Sequence, residues 1–247
     1  MITVEGLSHR FGDVKVLAGI DLDVPEGRFT SLVGPSGCGK STLLRVLAGL
    51  LTPSAGAARI SGREIVGQPG HAAYMPQRDL LLPWRRALGN ATVGAEISGV
   101  PRRQAEAQAA ALFEQFGLAG FEHAWPAVLS GGMRQRLALL RTFLCGRDVL
   151  LLDEPFGALD AITRRDMHVW LQQVLRSDPR TVLLVTHDVE EALTLSDTVV
   201  VLSSRPARIV EHMTVDLPRP RTADVVTDDT FVAAKSKLLH ALEQGRG

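Results

Sequence analysis

The stretch that most constrains this chain is Gly34-Pro35-Ser36-Gly37-Cys38-Gly39-Lys40-Ser41-Thr42, which satisfies the phosphate-cradling pattern G-x-x-x-x-G-K-[ST] at every required position. Such a P-loop sits between a buried strand and a helix, and both flanks are legible. Ahead of it the apolar run Phe29–Val33 reads as a buried strand. Behind it Leu43, Leu44, Val46, Leu47 and Leu50 fall on one helical face. Glycines let successive backbone N–H groups turn towards one point, the helix start adds a partial positive charge, and Lys40 adds a full one. A triphosphate fits that hollow, with Ser41 in the position that ligates Mg²⁺ and Lys40 reaching the outer phosphates. Cys38, at a helix start beside a fixed cation, is expected to be the accessible, thiolate-prone cysteine, with Cys145 the inert one.

Around this loop the chain reads as α/β. Residues 2–7 and 16–24 alternate apolar with polar, forming a small β layer that ends at the turn Pro25-Glu26-Gly27. Phe11 lies in the turn between those strands, where its ring either stacks on a purine base or packs beneath the turn. Residues 58–61 give a short strand, and residues 72–75 lead to Gln77. There the sequence changes to a long stretch read as helical, residues 78–147. Pro101 opens a helix whose Ala105, Ala109, Leu112, Phe113 and Phe116 form a core face, and Gly117 stops it. Further on, Ser130, Gly131 and Gly132 open another helix. They make either a second anion-binding helix start or a plain cap.

The apolar run 149–152 ends at Asp153 and Glu154, as a buried parallel strand does when its carboxyl end faces a ligand crevice. Asp153 is placed to hold Mg²⁺ through water, and Glu154, one residue nearer the γ-phosphate, is the candidate general base. Asp160 caps a helix over 161–176. A further buried strand, 181–186, delivers His187 to the same crevice, where an imidazole can donate to a γ-phosphate oxygen. Asp188 caps the next helix. Strands over 198–202 and 208–213 close the sheet before a last amphipathic stretch near 231–242.

Lys plus Arg and Asp plus Glu are both 27, so no net basic field exists to hold nucleic acid. Two cysteines are too few for a disulfide framework or a Cys₄ zinc site. The first residues lack a signal-peptide layout and no apolar run approaches the ~18 residues that span a bilayer, so the chain is expected in the cytoplasm, meeting membranes through partners.

Taken in order, the P-loop, Gln77, Leu129-Ser130-Gly131-Gly132, Leu150-Leu151-Leu152-Asp153-Glu154-Pro155, Gly157-Ala158-Leu159-Asp160 and Thr186-His187-Asp188 resemble the nucleotide-binding subunit of ATP-binding cassette (ABC) transporters, over essentially the whole chain. The resemblance implies a P-loop NTPase fold: a RecA-like core with an N-terminal antiparallel β layer and an inserted α-helical subdomain. One domain would span 1–247, with the core in 1–77 and 148–247 and the helical subdomain in 78–147. It implies that Phe11 stacks on adenine and that Gln77 senses Mg²⁺ and the attacking water. Ser130, Gly131 and Gly132 become a signature acting in trans, Asp153 a Mg²⁺ ligand, Glu154 the base, Asp160 a residue reaching across an interface, and His187 the γ-phosphate sensor. The implied assembly is a homodimer sandwiching two ATP at the cytoplasmic face of the cell membrane. Its partners would be integral membrane permease subunits and, indirectly, an extracytoplasmic solute-binding protein, with no nucleic acid. Met133 stands where family members commonly have Gln. Residues 75–84 and 205–210 look like importers of the nitrate, taurine, sulfonate and pyrimidine-precursor group. Residues 80–84 are expected either to receive a permease helix or to pack within the helical lobe. A soluble ABC-type ATPase outside transport and a non-hydrolysing ATP-binding regulator are the alternatives.

Overall fold

The computed structural model describes residues 1–246. The two N-terminal alternations become β1 (Ile2–Phe11) and β2 (Val14–Val24), an antiparallel pair turning at Gly12, whose φ of +55° suits glycine. The stretch before the P-loop is β3 (Phe29–Val33), buried throughout, its polar Thr30 and Ser31 included, and the loop feeds α1 (Lys40–Leu47). Gly49, at φ +72°, turns the chain just past the end of α1. Leu50, expected on the same face as Leu43 and Leu47, therefore lies outside the helix and is 60% exposed. Next come β4 (Ala55–Ile60), β5 (Arg63–Glu64) and β6 (Ala73–Met75).

The stretch expected to be helical over 78–147 is less so. Its helices are α2 (Ala87–Ala91), α3 (Val93–Ile97), α4 (Arg102–Phe113) and α5 (Gly131–Phe143). Residues 78–86 and 114–130 are turns and loop, apart from one 3₁₀ turn at Pro126–Val128. The reason is local: Pro83 and Pro126 lack the N–H a helix needs, while Gly117 and Gly120 sit at φ +59° and +82°. The loop before α2 is held by buried Asn90, which accepts from Leu82 N–H and donates to the carbonyls of Leu82 and Arg85.

The chain then runs through β7 (Val149–Asp153), α6 (Ala161–Ser177), β8 (Thr181–Val185), α7 (Val189–Leu195), β9 (Thr198–Leu202), β10 (Ile209–Thr214) and α8 (Asp229–Gln244). Two sheets result. One is four-stranded and antiparallel, in the order β2-β1-β4-β5; the other is six-stranded, in the order β10-β9-β3-β8-β7-β6, parallel except for β10. Period-two alternation splits the buried strands between two cores. Leu151, Leu183 and Val185 pack with α1 and the antiparallel sheet, whereas Leu150, Leu152, Val182 and Leu184 pack with α4, α5 and α6 through Phe113, Leu137 and Trp170. A third cluster seats α7 and α8 against Val199 and Val201. Burial on both faces explains why these strands read as unbroken apolar runs.

Candidate active site

Three parallel neighbours, β3, β8 and β7, end side by side, so their carboxyl ends deliver the P-loop, Thr186-His187 and Asp153-Glu154 to one crevice. Within the loop Lys40 is buried, and its Nζ donates to the carbonyls of Gly34 at 2.7 Å and Pro35 at 2.9 Å. Gly39 holds φ +130°, and a Cβ there would lie 2.8 Å from Leu17 Cδ2 and 2.9 Å from Val16 Cγ1, so only glycine fits. The antiparallel sheet thus presses on the phosphate cradle from beneath.

Ser41 Oγ donates to Asp153 Oδ1 at 3.1 Å. Burial pushes the Asp153 carboxyl above its ordinary range, and the Ser41 hydrogen bond partly opposes that shift. A hydroxyl and a carboxylate are hard oxygen donors of the kind Mg²⁺ prefers. Among the described residues no group of three or more His, Cys, Asp or Glu side chains could hold a metal unaided. An ion at Ser41 and Asp153 would therefore complete its shell with phosphate oxygens and water, which fits the donor set present.

Glu154 is one of three non-glycine residues with positive φ among the described residues, at +50°. A left-handed residue of this kind costs roughly 1–2 kcal/mol. Surrounding bonds hold it there: its N–H donates to Val185 O at 2.9 Å, and its carbonyl accepts from the buried Gln135 Nε2 at 3.3 Å. The carboxylate meets two expected partners. Gln77 Nε2 donates to Oε2 at 3.0 Å, and His187 Nδ1 lies 3.4 Å from Oε1. Gln77, Glu154 and His187 thus converge on one point beside the Ser41 and Asp153 pair.

Other expected residues stand apart. Phe11 is 49% exposed and meets His9 edge-on at 4.5 Å, so its ring does not fill a core beneath the turn. Ser130 caps α5, its Oγ accepting from Met133 N–H at 3.2 Å. Among the described residues no hydrogen bond or ion pair joins Ser130, Gly131 or Gly132 to the P-loop; a Cβ on Gly132 would instead lie 3.4 Å from Leu159 Cδ2. Asp160 caps α6 by accepting from the N–H groups of Ile162 and Thr163, and the Thr163 bonds lead in holding its carboxyl below the usual range.

The expectation for Cys38 is wrong. Its side chain is only 2% exposed and belongs to the core beneath the loop, because a loop that aims its N–H groups outward turns this side chain in. Cys145 is the more accessible thiol, though burial raises its pKa. The sequence reading also passed over three tethers. Arg205 donates from Nε to Gly37 O at 3.0 Å, across a separation of 168 residues. Arg134 joins Asp79 at 3.1 Å and Leu129 O at 2.7 Å, and Arg141 donates to the carbonyls of Asp79 and Leu80, fastening the segment after Gln77 to α5. Gln135, a polar side chain among the mostly apolar buried residues of α5, is the visible signal for the bond to the Glu154 carbonyl.

The sequence pattern of the ABC transporter family matches residues 17–157. The chain belongs to the ABC transporter family. It is 48% identical over 239 residues to the aliphatic sulfonates import ATP-binding protein SsuB 1 of Rhodococcus jostii, covering 97% of this chain and 92% of that protein. It is 43% identical over 246 residues to the uncharacterized ABC transporter ATP-binding protein MJ0412 of Methanocaldococcus jannaschii, covering 98% of this chain and 91% of the relative. Among solved structures, the dimeric structure of MJ0796, a bacterial ABC transporter cassette, matches with a TM-score of 0.79 at 25% identity, over 88% of this chain and 100% of that one. The ABC cassette thus has the P-loop NTPase fold expected from its sequence, with the small antiparallel sheet at its N-terminal end.

Proposed function

We infer that this ABC cassette is the ATP-hydrolysing subunit of an importer, acting as a homodimer around two Mg-ATP and driving a separate membrane permease. The observation that carries the reading is the convergence of Gln77 and His187 on the Glu154 carboxylate, beside Ser41 and Asp153. Catalysis of this kind rests on positioning and charge stabilisation. Lys40 and the loop N–H groups grip the phosphates, and Phe11 offers its exposed ring to adenine. Ser41 and Asp153 would hold Mg²⁺, which when bound draws charge from the phosphate oxygens. Glu154 accepts the proton of the attacking water, Gln77 orients that water, and His187 donates to the phosphoryl group being transferred. The helix start at Ser130 finds no phosphate partner within its own chain, so we assign it, with Asp160, to the nucleotide of a second copy. Met133 packs its side chain on the neighbouring core while its N–H bonds Ser130, so the backbone donors of that helix start are kept.

The permease seat is proposed at residues 80–84. Packing within the helical lobe does not hold for Trp84, which is 71% exposed. Leu80 and Leu82 of the same segment line a groove of about 550 Å³ with Leu50, Tyr74, Pro76 and Val93, edged by Arg45 and Arg141. Contiguous exposed apolar surface commonly receives a partner. Among the described residues no helix is long and apolar enough to cross a membrane. We place the subunit at the cytoplasmic face of the membrane through that permease, with a solute-binding protein delivering cargo. Relatives named for aliphatic sulfonate import point to a small organic anion as that cargo.

Phosphate release measured across dilutions of the isolated subunit tests the composite site. Activity should rise faster than linearly with protein concentration, and Ser130→Arg should abolish it while ATP binding to the monomer persists. Linear activity with an active Ser130→Arg variant would mean that each chain works alone.

A further inference from the structure

Although the chain has no net charge, one end of its central sheet carries a surplus of it. At the starts of β3, β8 and β9, about 16 Å along the strands from the P-loop end, a cleft of about 410 Å³ opens against α6. Apolar surface comes from Phe29, Val169, Leu175, Pro179 and Pro220. Five arginines line it as well: Arg28, Arg176, Arg180, Arg219 and Arg221.

Among the described residues two carboxylates form ion pairs with them. Asp197, which also lines the cleft, accepts from Arg219 at 2.9 Å and from Phe29 N–H at 2.9 Å. Asp178 takes Arg180 at 2.6 Å, and that guanidinium also stacks over the Phe143 ring. Arg221 is buried with carbonyl partners alone, among them Leu193, Val215 and Leu217. Burial, and then Arg219, lowers its pKa to about 10, while Asp197 opposes that shift. Among the described residues Arg28 and Arg176 make no ion pair and no side-chain hydrogen bond. Two uncommitted guanidiniums at the mouth of a half-apolar cleft are a recognition surface of a definite kind. The volume lies at the lower end of the range for small-molecule sites, which are mostly apolar with a few convergent polar groups.

We propose that this cleft is a second ligand site, separate from the nucleotide crevice, which binds a small organic anion: its acid group on Arg28 and Arg176, its hydrocarbon body on Phe29, Val169 and Leu175. Guanidinium pairs suit sulfonate, carboxylate or phosphate oxygens through charge-assisted hydrogen bonds. An inorganic anion would leave the apolar wall uncovered, and a neutral hydrocarbon would leave the arginines unanswered.

Isothermal titration calorimetry of the intact chain, with Mg-ADP saturating the P-loop, tests this with three probes: octane-1-sulfonate, octan-1-ol and ethanesulfonate. Octane-1-sulfonate should bind saturably, one per chain, and at least about tenfold more tightly than either of the others. Arg28→Gln combined with Arg176→Gln should weaken it at least about tenfold, and so should Val169→Glu, which sets a negative charge in the cleft. All three positions are exposed, so the fold and basal ATP turnover should persist. Absence of saturable binding overturns the proposal. Equal binding of octan-1-ol would make the arginines irrelevant, equal binding of ethanesulfonate would do the same for the apolar wall, and unchanged affinity in both variants would put the site elsewhere; each of these also overturns it.

Discussion

Replacing Glu154 with Gln separates chemistry from structure at this site. The substitution keeps the side-chain shape and the backbone at φ +50°, together with the bonds from Glu154 N–H to Val185 O and from Gln135 Nε2 to the Glu154 carbonyl. What disappears is the carboxylate that accepts from Gln77 at 3.0 Å and faces His187 at 3.4 Å. Both contacts open to solvent, and exposed pairs contribute about 0–1 kcal/mol, so Tm should move by no more than about 2–4 °C for a chain of this size. The kinetic effect is much larger. A positioned general base contributes about 10²–10⁴ in rate, equivalent to roughly 2.7–5.5 kcal/mol on the barrier. The KM for ATP should stay within about threefold, because Lys40, Ser41 and Asp153 are untouched. Steady-state phosphate release gives kcat and KM, and a sizing column run in Mg-ATP should show the variant accumulating as dimer. A kcat within about threefold of the wild type would remove Glu154 from the chemistry. A matching loss of ATP affinity would make it a binding residue instead.

Asp153→Asn should stabilise the nucleotide-free protein at neutral pH. A carboxyl whose folded pKa is raised costs stability at any pH above its unfolded value of about 3.9, so the gain in urea midpoint should shrink as pH falls towards that value. A lower midpoint at pH 7 would mean that the bond to Ser41 outweighs burial. Gly39→Ala should cost about 1–3 kcal/mol and weaken ATP binding, since it adds a Cβ against Val16 and Leu17 at a φ that L residues avoid; an unshifted melting curve with normal ATP affinity contradicts the geometry. In nucleotide-free protein a maleimide should modify Cys145 before Cys38, and faster as pH rises because the Cys145 thiol is shifted upward; tryptic peptides labelled first at Cys38 would show that the loop exposes its sulfur. Trp84→Ala should change stability by less than about 0.5 kcal/mol, as exposed positions usually do, yet reduce permease co-purification more than basal hydrolysis. Equal loss of both would place Trp84 inside the catalytic unit.

Local sequence carries local physics, and where function depends on it the chain is readable. The P-loop glycines, the apolar run before Asp153 and Glu154, and the caps at Asp160 and Asp188 each declare their element, because phosphate cradling, two-sided burial and orphan helix N–H groups demand particular residue types at fixed spacing. The order of those motifs was enough to identify the ABC family. Other facts needed the folded chain. That Cys38 turns inward, that Leu50 falls past the end of its helix and that residues 78–86 are loop all depend on which neighbour occupies the space, and no periodicity reports that. The meeting of Gln77 with Glu154 joins residues 77 positions apart, and the tether of Arg205 to Gly37 joins residues 168 apart. The cluster of arginines around the cleft at the strand starts is likewise scattered from Arg28 to Arg221 along the chain. Residue types set which groups can carry charge or turn a backbone, but only the sheet order, with β3 between β8 and β9, decides which of those groups share a crevice.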